Sequence, residues 1–169
     1  MVASPPGRSL VSRNSHRLPS SRVLKACRCL GGIRNQGNLP SAVRIVSAAM
    51  HAGVTMPRSA VLDLARVVLD SEIAINRDTR LAASKALARF NEREIVRRAT
   101  RAIRDPASRL DVVMAAATIL LGSPNRSLSH PTLTCLTRKV CRFGQIRGPL
   151  VDLLHSRRSP VSKNERLKK

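Results

Sequence analysis

The sequence predicts an all-α fold, and three observations support this prediction. The apolar fraction is ordinary at 43%, yet Phe90 and Phe143 are the only aromatic residues, and Trp and Tyr do not occur. Because aromatic side chains favour strands and large buried areas, their scarcity favours small aliphatic side chains packed between helices. Apolar residues also recur at helical spacing through the middle of the chain, with short links between the periodic segments. A chain of 169 residues can bury a core as one domain.

Acidic residues are concentrated in the middle of the chain. Residues 1–62 contain nine Lys or Arg and no Asp or Glu, whereas residues 63–111 contain eleven against eight. Residues 112–169 contain eleven against two, and the formal net charge is +21. Two basic ends around a nearly balanced centre indicate a polyanionic partner.

The composition divides the chain into four segments. Residues 1–40 are predicted to be a disordered basic arm, because they are rich in Ser, Arg, Pro and Gly and have little periodic apolar content. An Arg-rich, Ser-rich, acid-free segment is also typical of an organelle transit peptide, which is the alternative. A helical core is predicted over 41–122, a weaker helical extension over 123–156 and a basic tail over 157–169. A third interpretation is that the ends come from a wrong gene start or reading frame, which leaves about 41–121 as the domain.

The first predicted helices follow from local start and stop signals. One begins near Ser41 and ends at Gly53, a residue type that often follows a helix. The next starts at Thr55-Met56-Pro57, with a cap candidate and a proline in the first turn. After a polar connection over 70–78, Leu81 to Phe90 mark a third helix.

A fourth helix is the most amphipathic segment of the chain. Asn91 is its predicted start, and Glu94 three residues later completes a loose capping box. Apolar side chains fall on one face of the helical projection and arginines on the opposite face. The apolar residues are Ile95, Val96, Ala99, Ala102 and Ile103. The arginine stripe, Arg93, Arg97, Arg101 and Arg104, together with Arg98 is the candidate nucleic-acid-binding site.

Three further helices complete the prediction. Asp105-Pro106 is a candidate cap and first-turn proline for a fifth helix, which Gly122 closes. A sixth is predicted over 131–143, and a short seventh after Pro149.

Two segments resemble known helical motifs. Residues 78–87 resemble the second helix of a HEAT-type repeat, with Asp78 in the turn, Arg80 near the helix start and an Ala-Ala pair before Ala-Leu. The likeness extends over about residues 61–121, where similar first helices lie 35 residues apart and the second helices 29 apart. It implies a short HEAT-like array of helix pairs; an ordinary Ala-rich helical bundle is the alternative, since two units are fewer than a solenoid normally needs.

The second resemblance is to a helix-turn-helix. Ala86, Val96 and Arg97-Arg98 stand where such motifs place a small residue, a core residue and DNA-facing arginines. Phe90 stands where the turn usually has Gly. The resemblance implies that residues 92–104 form a helix that reads the major groove.

The residues that could carry catalysis or bind metal show no known pattern. Cys27-Arg-Cys29 and the pair Cys135 and Cys141 lack the spacing of zinc ligands, the histidines are scattered, and no catalytic motif occurs. We therefore expect reduced thiols, no cofactor and no enzymatic activity. No apolar run of 18 residues is present, so we predict no membrane insertion and a cytoplasmic location, or an organelle matrix if residues 1–40 are a transit peptide.

The leading functional hypothesis is a non-catalytic helical protein that binds RNA or DNA through phosphates with low sequence specificity. Two phenylalanines cannot provide a stacking platform for bases, so the contacts should run from Arg to phosphate. Glu94 is the only acid within the stripe, so a polyanion would relieve repulsion among its arginines. The alternatives are a helical-repeat module that docks an acidic protein, and a small helical domain of other function whose termini are wrongly assigned.

Overall fold

The computed structural model describes residues 18–32, 36–122 and 130–142. These ranges contain seven α-helices and no strand, so the all-α prediction is confirmed for the described chain. The helices are α1 (Ser21–Gly31), α2 (Leu39–His51), α3 (Arg58–Val68), α4 (Arg77–Leu87), α5 (Arg93–Arg104), α6 (Leu110–Leu121) and α7 (His130–Arg142). A short 3-10 turn, Gln36–Asn38, precedes α2. The predicted seventh helix after Pro149 and the basic tail 157–169 lie outside the described residues.

The helices pack as consecutive pairs in two layers. The pairs are α1 with α2, α3 with α4, and α5 with α6. Within the first layer, α1 packs on α3, α3 on α5 and α5 on α7; within the second layer, α2 packs on α4 and α4 on α6. Each inner helix of a layer is therefore flanked by neighbours on both sides, and the two layers share one core.

Small aliphatic side chains fill the core, as the composition predicted. Leu64, Leu87 and Ile95 are fully buried, and Ala83, Ala86 and Ala99 let neighbouring helices approach closely. Helix α6 is apolar on all sides, and nine of its twelve residues are buried, as expected for a helix enclosed by its neighbours.

One charged side chain is part of this core. Arg80 is fully buried in the first turn of α4. Its guanidinium donates to the carbonyl oxygens of Val68, Asp70 and Ile73. Its Nε lies 3.0 Å from Oδ2 of Asp111 in α6. Arg80 therefore joins the α3–α4 connection, α4 and α6.

The predicted disordered arm over 1–40 is wrong for the residues that form α1. Ser20 caps this helix by accepting a hydrogen bond from the Val23 amide at 3.4 Å. Val23, Ala26 and Leu30 are buried against the core. The apolar spacing is sparse, but it places these three side chains on one face, and burial in the core offsets the ordering cost. Residues 1–17 lie outside the described residues.

Three predicted helix starts are wrong by a few residues. Pro57, rather than Thr55, is the N-cap of α3. Glu92, rather than Asn91, is the N-cap of α5, and Glu94 pairs with arginines instead of completing a capping box. Asp105-Pro106 does not start α6, because the Asp105 carboxylate accepts bonds from Ala107 N and Ser108 Oγ and holds a turn. The predicted stops agree better: Gly53 has φ 77° just after α2, and Gly122 is the C-cap of α6.

The helix pairs recur along the chain at similar intervals. The first helices of the three pairs begin at Ser21, Arg58 and Arg93, and the second helices at Leu39, Arg77 and Leu110. The second helices begin 38 and 33 residues apart, where the sequence indicated 29 for the last interval, and three pairs are present where the sequence indicated two. The resemblance to HEAT-type repeats itself remains a prediction.

Candidate nucleic-acid interface

Helix α5 separates its charged and apolar residues as predicted. Ile95, Ala99, Ala102 and Ile103 are buried, and their burial fixes which way the opposite face points. The stripe residues Arg93, Arg97, Arg101 and Arg104 are exposed, and Arg98 is half-buried beside them. The amphipathic prediction is confirmed; nucleic-acid binding by these residues remains a prediction.

The stripe arginines differ in the partners they have. Glu94 Oε1 lies 2.8 Å from Arg98 Nε, and its Oε2 lies 3.8 Å from Arg97 Nη1. Such exposed pairs within one helix contribute only a few tenths of a kcal/mol, roughly 0.3–0.5. Arg104 Nη2 donates to Thr132 Oγ1 of α7 at 3.3 Å. Among the described residues, Arg93 and Arg101 form neither an ion pair nor a hydrogen bond through their side chains.

A mixed-charge groove lies between α3 and α5 at their carboxyl ends. Its volume is about 430 Å³. Three arginines and three acids line it: Arg66, Arg98, Arg101, Asp70, Glu72 and Asp105. Glu94 is the only acid within α5, but it is not the only acid near the stripe. Packing α3 against α5 places Asp70 and Glu72 near arginines about thirty residues away in sequence, so the carboxyl half of the stripe is nearly charge-balanced.

The amino half of the stripe keeps its positive excess. Arg58 Nη2 binds Glu92 Oε2 at 3.0 Å across the amino ends of α3 and α5. This pair neutralises both of its members. In the amino half of the stripe, Arg93 has no partner among the described residues, and Arg97 has only the 3.8 Å contact with Glu94.

Positive charge is unevenly divided between the two layers of helices. The first-layer helices contain thirteen Lys or Arg against two Asp or Glu, whereas the second-layer helices contain four against two. One of the four, Arg80, is buried. The outer surface of the first layer is thus the most basic face of the described chain, and we call it the basic face. Its exposed cations are Arg22, Lys25, Arg28, Arg58, Arg93, Arg97, Arg101, Arg104 and Arg138.

Sequence reasoning missed the contribution of α1 to this face. Arg22, Lys25 and Arg28 were assigned to a disordered arm. Two signals could have identified the helix: Ser20 is a good N-cap residue, and Val23, Ala26 and Leu30 follow it at three- and four-residue spacing. Helix α1 contains no acid, so its three cations add to the excess without compensation.

The helix-turn-helix interpretation does not agree with this packing. Helix α5 is flanked by α3 on one side and α7 on the other, so it does not stand out from the layer as a groove-reading helix must. The connection from α4 to α5 also takes five residues, 88–92, where such motifs use three or four.

No other cluster of reactive side chains is evident in the described ranges. Cys27, Cys29 and Cys135 are free thiols, and burial raises the pKa of the Cys27 thiol, which lowers its reactivity. Within the described ranges, no group of three or more His, Cys, Asp or Glu side chains is placed to hold a metal ion. None of the described helices has the length and apolarity needed to cross a bilayer.

Comparisons of the chain with protein-family models, with curated proteins and with solved structures find no match.

Proposed function

We propose that this protein is a non-catalytic helical protein that binds RNA or DNA through phosphates, and that the basic face is the binding surface. The observation that carries the proposal is the division of charge between the helices of the two layers, thirteen basic against two acidic residues in one and four against two in the other. Four acids of the connections, Asp70, Glu72, Glu92 and Asp105, reduce the first-layer excess without cancelling it. A charge excess spread evenly over the molecule would serve solubility, whereas an excess confined to one face creates a directed field.

The chemistry of the face favours phosphate over base recognition. Arginine forks match phosphate oxygens, and binding releases the counterions of the nucleic acid. The first-layer helices contain no aromatic residue, so base stacking is not part of the proposal. Low sequence specificity follows, because phosphate contacts carry no sequence information directly.

The proposal also includes the cellular location of the protein and the arrangement of its helix pairs as a repeat. We place the protein in the cytoplasm and take its helix pairs to be a short HEAT-like array that holds the cations rigidly. The organelle-matrix alternative requires that any removed targeting segment end before Ser20, because α1 belongs to the core.

The mixed-charge groove supports the second candidate, a docking site for an acidic protein. Arg66, Arg98 and Arg101 alternate there with acids, and a lining of both signs suits a polypeptide better than a polyphosphate. A nucleic-acid-binding protein and a docking module respond differently to the same substitutions.

The decisive experiment reverses two charges on each layer. Arg93→Glu with Arg97→Glu alters the basic face, and Arg44→Glu with Lys85→Glu makes the same change in net charge at exposed second-layer positions. Binding of labelled mixed-sequence RNA and DNA is measured by fluorescence anisotropy, and circular dichroism verifies folding. We expect the first-layer variant to lose at least about tenfold in affinity, or about 1.4 kcal/mol, and the second-layer variant to lose much less.

Equal losses of affinity in the two variants would show that binding depends on the net charge of the protein and not on which layer carries it. If the unaltered protein binds neither nucleic acid, the proposal fails and the docking module takes its place. A truncation control should remove residues 1–17 only, because deleting 1–40 also removes α1 and its buried side chains.

A further inference from the structure

The backbone positions that carry the cations of the basic face are fixed by the core beneath them. Val23, Ala26 and Leu30 anchor α1, and Ile95, Ala99 and Ile103 anchor α5. The cations on the outer sides of these helices are therefore spaced by the helix packing. Helices at fixed spacing lose little conformational entropy when they bind a partner that is also stiff. A DNA duplex is such a partner, with a persistence length of about 50 nm. A flexible single strand must be ordered as it binds.

The basic face lacks the groups by which proteins hold single strands. Phe90 is the only aromatic residue among those described; it is half-buried, lies beyond the end of α4 and packs against the core. Stacking on a ring contributes roughly 1–3 kcal/mol per base in single-strand binding. The basic face offers none of this contribution, so a single strand could gain only phosphate contacts.

The breadth of the basic face suits two rows of phosphates. Packed helices lie about 8–10 Å apart, so the four first-layer helices extend over roughly 24–30 Å between the outermost axes. The major groove of B-DNA is only about 12 Å wide, and the layer is too broad to enter it. A face of this breadth lies across a groove and meets the phosphates on both of its sides. A single strand presents one row and leaves most of the cations unpaired.

We infer that the basic face binds the paired phosphate rows of a nucleic-acid duplex in preference to a single strand. This inference rests on the proposed function and specifies its ligand. The chemistry is common to DNA and RNA duplexes, since the contacts go to phosphates, and the experiment compares both.

The test uses the full chain and three probes that carry equal numbers of phosphates: a DNA duplex, an RNA duplex and a mixed-sequence single strand without self-complementarity. Dissociation constants are measured by anisotropy over a range of salt concentrations, with polyglutamate as a competitor. We expect at least one duplex to bind at least about tenfold more tightly than the single strand. For equal numbers of contacts the salt slope should also be steeper for the DNA duplex, about 0.9 against about 0.7 per phosphate.

The two-layer variants provide the matched control. Arg93→Glu with Arg97→Glu should reduce the duplex preference, and Arg44→Glu with Lys85→Glu should retain it. A preference for either the DNA or the RNA duplex supports the inference and identifies the source of the phosphates.

The other outcomes overturn it. If the single strand binds as tightly as the duplexes, the inference fails while the proposed function stands. If no probe binds, both fail together. If polyglutamate displaces the duplex at an equal concentration of charges, the basic face recognises acidic polymers in general, and the duplex assignment fails.

Discussion

Arg80 shows how a single residue can connect distant parts of this fold. Burial lowers the pKa of its guanidinium, whereas the Asp111 carboxylate acts in the opposite sense. The side chain stays charged because arginine is not deprotonated in proteins. Each N–H that it donates goes to a carbonyl at the end of α3 or in the connection that follows. Removing the side chain would leave these carbonyls without this donor, and Asp111 would keep only its ion pair with Arg109.

We predict that Arg80→Met lowers the free energy of unfolding by about 3–5 kcal/mol, because it leaves three carbonyls without this donor and removes one of the two arginines that pair with Asp111. Arg80→Lys keeps the charge but lacks the planar fork, so a loss of roughly 1–3 kcal/mol is expected. Urea denaturation followed by circular dichroism measures both variants. Lys85→Met, at an exposed site on the same helix, is the control and should change stability by about 0.5 kcal/mol or less. If Arg80→Met unfolds at the same urea concentration as this control, Arg80 does not hold these elements together.

Arg80 also illustrates which residues the sequence could identify. Its place near a helix start was part of the HEAT-type resemblance, but its burial was not predicted, because an isolated arginine ordinarily lies in solvent. The acids of the mixed-charge groove were missed for a related reason. Asp70 and Glu72 line one groove with Arg98 and Arg101 only because α3 and α5 pack together, and no local pattern contains that information.

At the scale of the element, α1 is the part of the fold that sequence reasoning misjudged. The buried residues of α2 to α6 are dense enough to identify the helices, and Gly53 and Gly122 mark two of the ends. Helix α1 has only three buried residues, and its neighbours are rich in Ser, Pro and Arg. The composition of this segment predicts disorder, although its apolar residues have helical spacing. Packing against the core decides whether such a segment is helical. The predicted starts of α5 and α6 differ from the observed ones. The N-cap residues of these helices, Glu92 and Arg109, make no side-chain capping hydrogen bond, so the capping signals used for the prediction do not mark them.

The role of α1 can be tested with two leucines of that helix. Leu30 is fully buried and Leu24 is 39% exposed. We predict that Leu30→Ala costs about 2–5 kcal/mol of stability because it leaves a cavity in the core. Leu24→Ala should cost less than about 1 kcal/mol, since its side chain is partly solvated in the folded state. Thermal and urea unfolding of the full chain measure the difference. Equal effects from the two substitutions would mean that α1 is not docked on the core.

Across the described residues of the molecule, the fold gathers the excess of positive charge mainly on one layer of helices. The sequence shows +21 and two basic ends, and this already indicates an anionic partner. It does not show which helices share a layer. Pairing and layering place α1, α3, α5 and α7 side by side, so cations from separate parts of the chain form one surface. Long-range packing of this kind is the part that sequence patterns alone could not provide.

The proposed function requires that individual arginines of the basic face contact phosphates. The most direct measurement is the salt dependence of binding to a DNA duplex for two neutralising variants. Arg93→Gln with Arg97→Gln should reduce the slope of log K against log salt by about 0.9 for each lost contact, or roughly 2 in total. Arg44→Gln with Lys85→Gln removes the same charge from the second layer and should leave the slope unchanged. Identical slopes for the first-layer variant and the unaltered protein would show that Arg93 and Arg97 contact no phosphate.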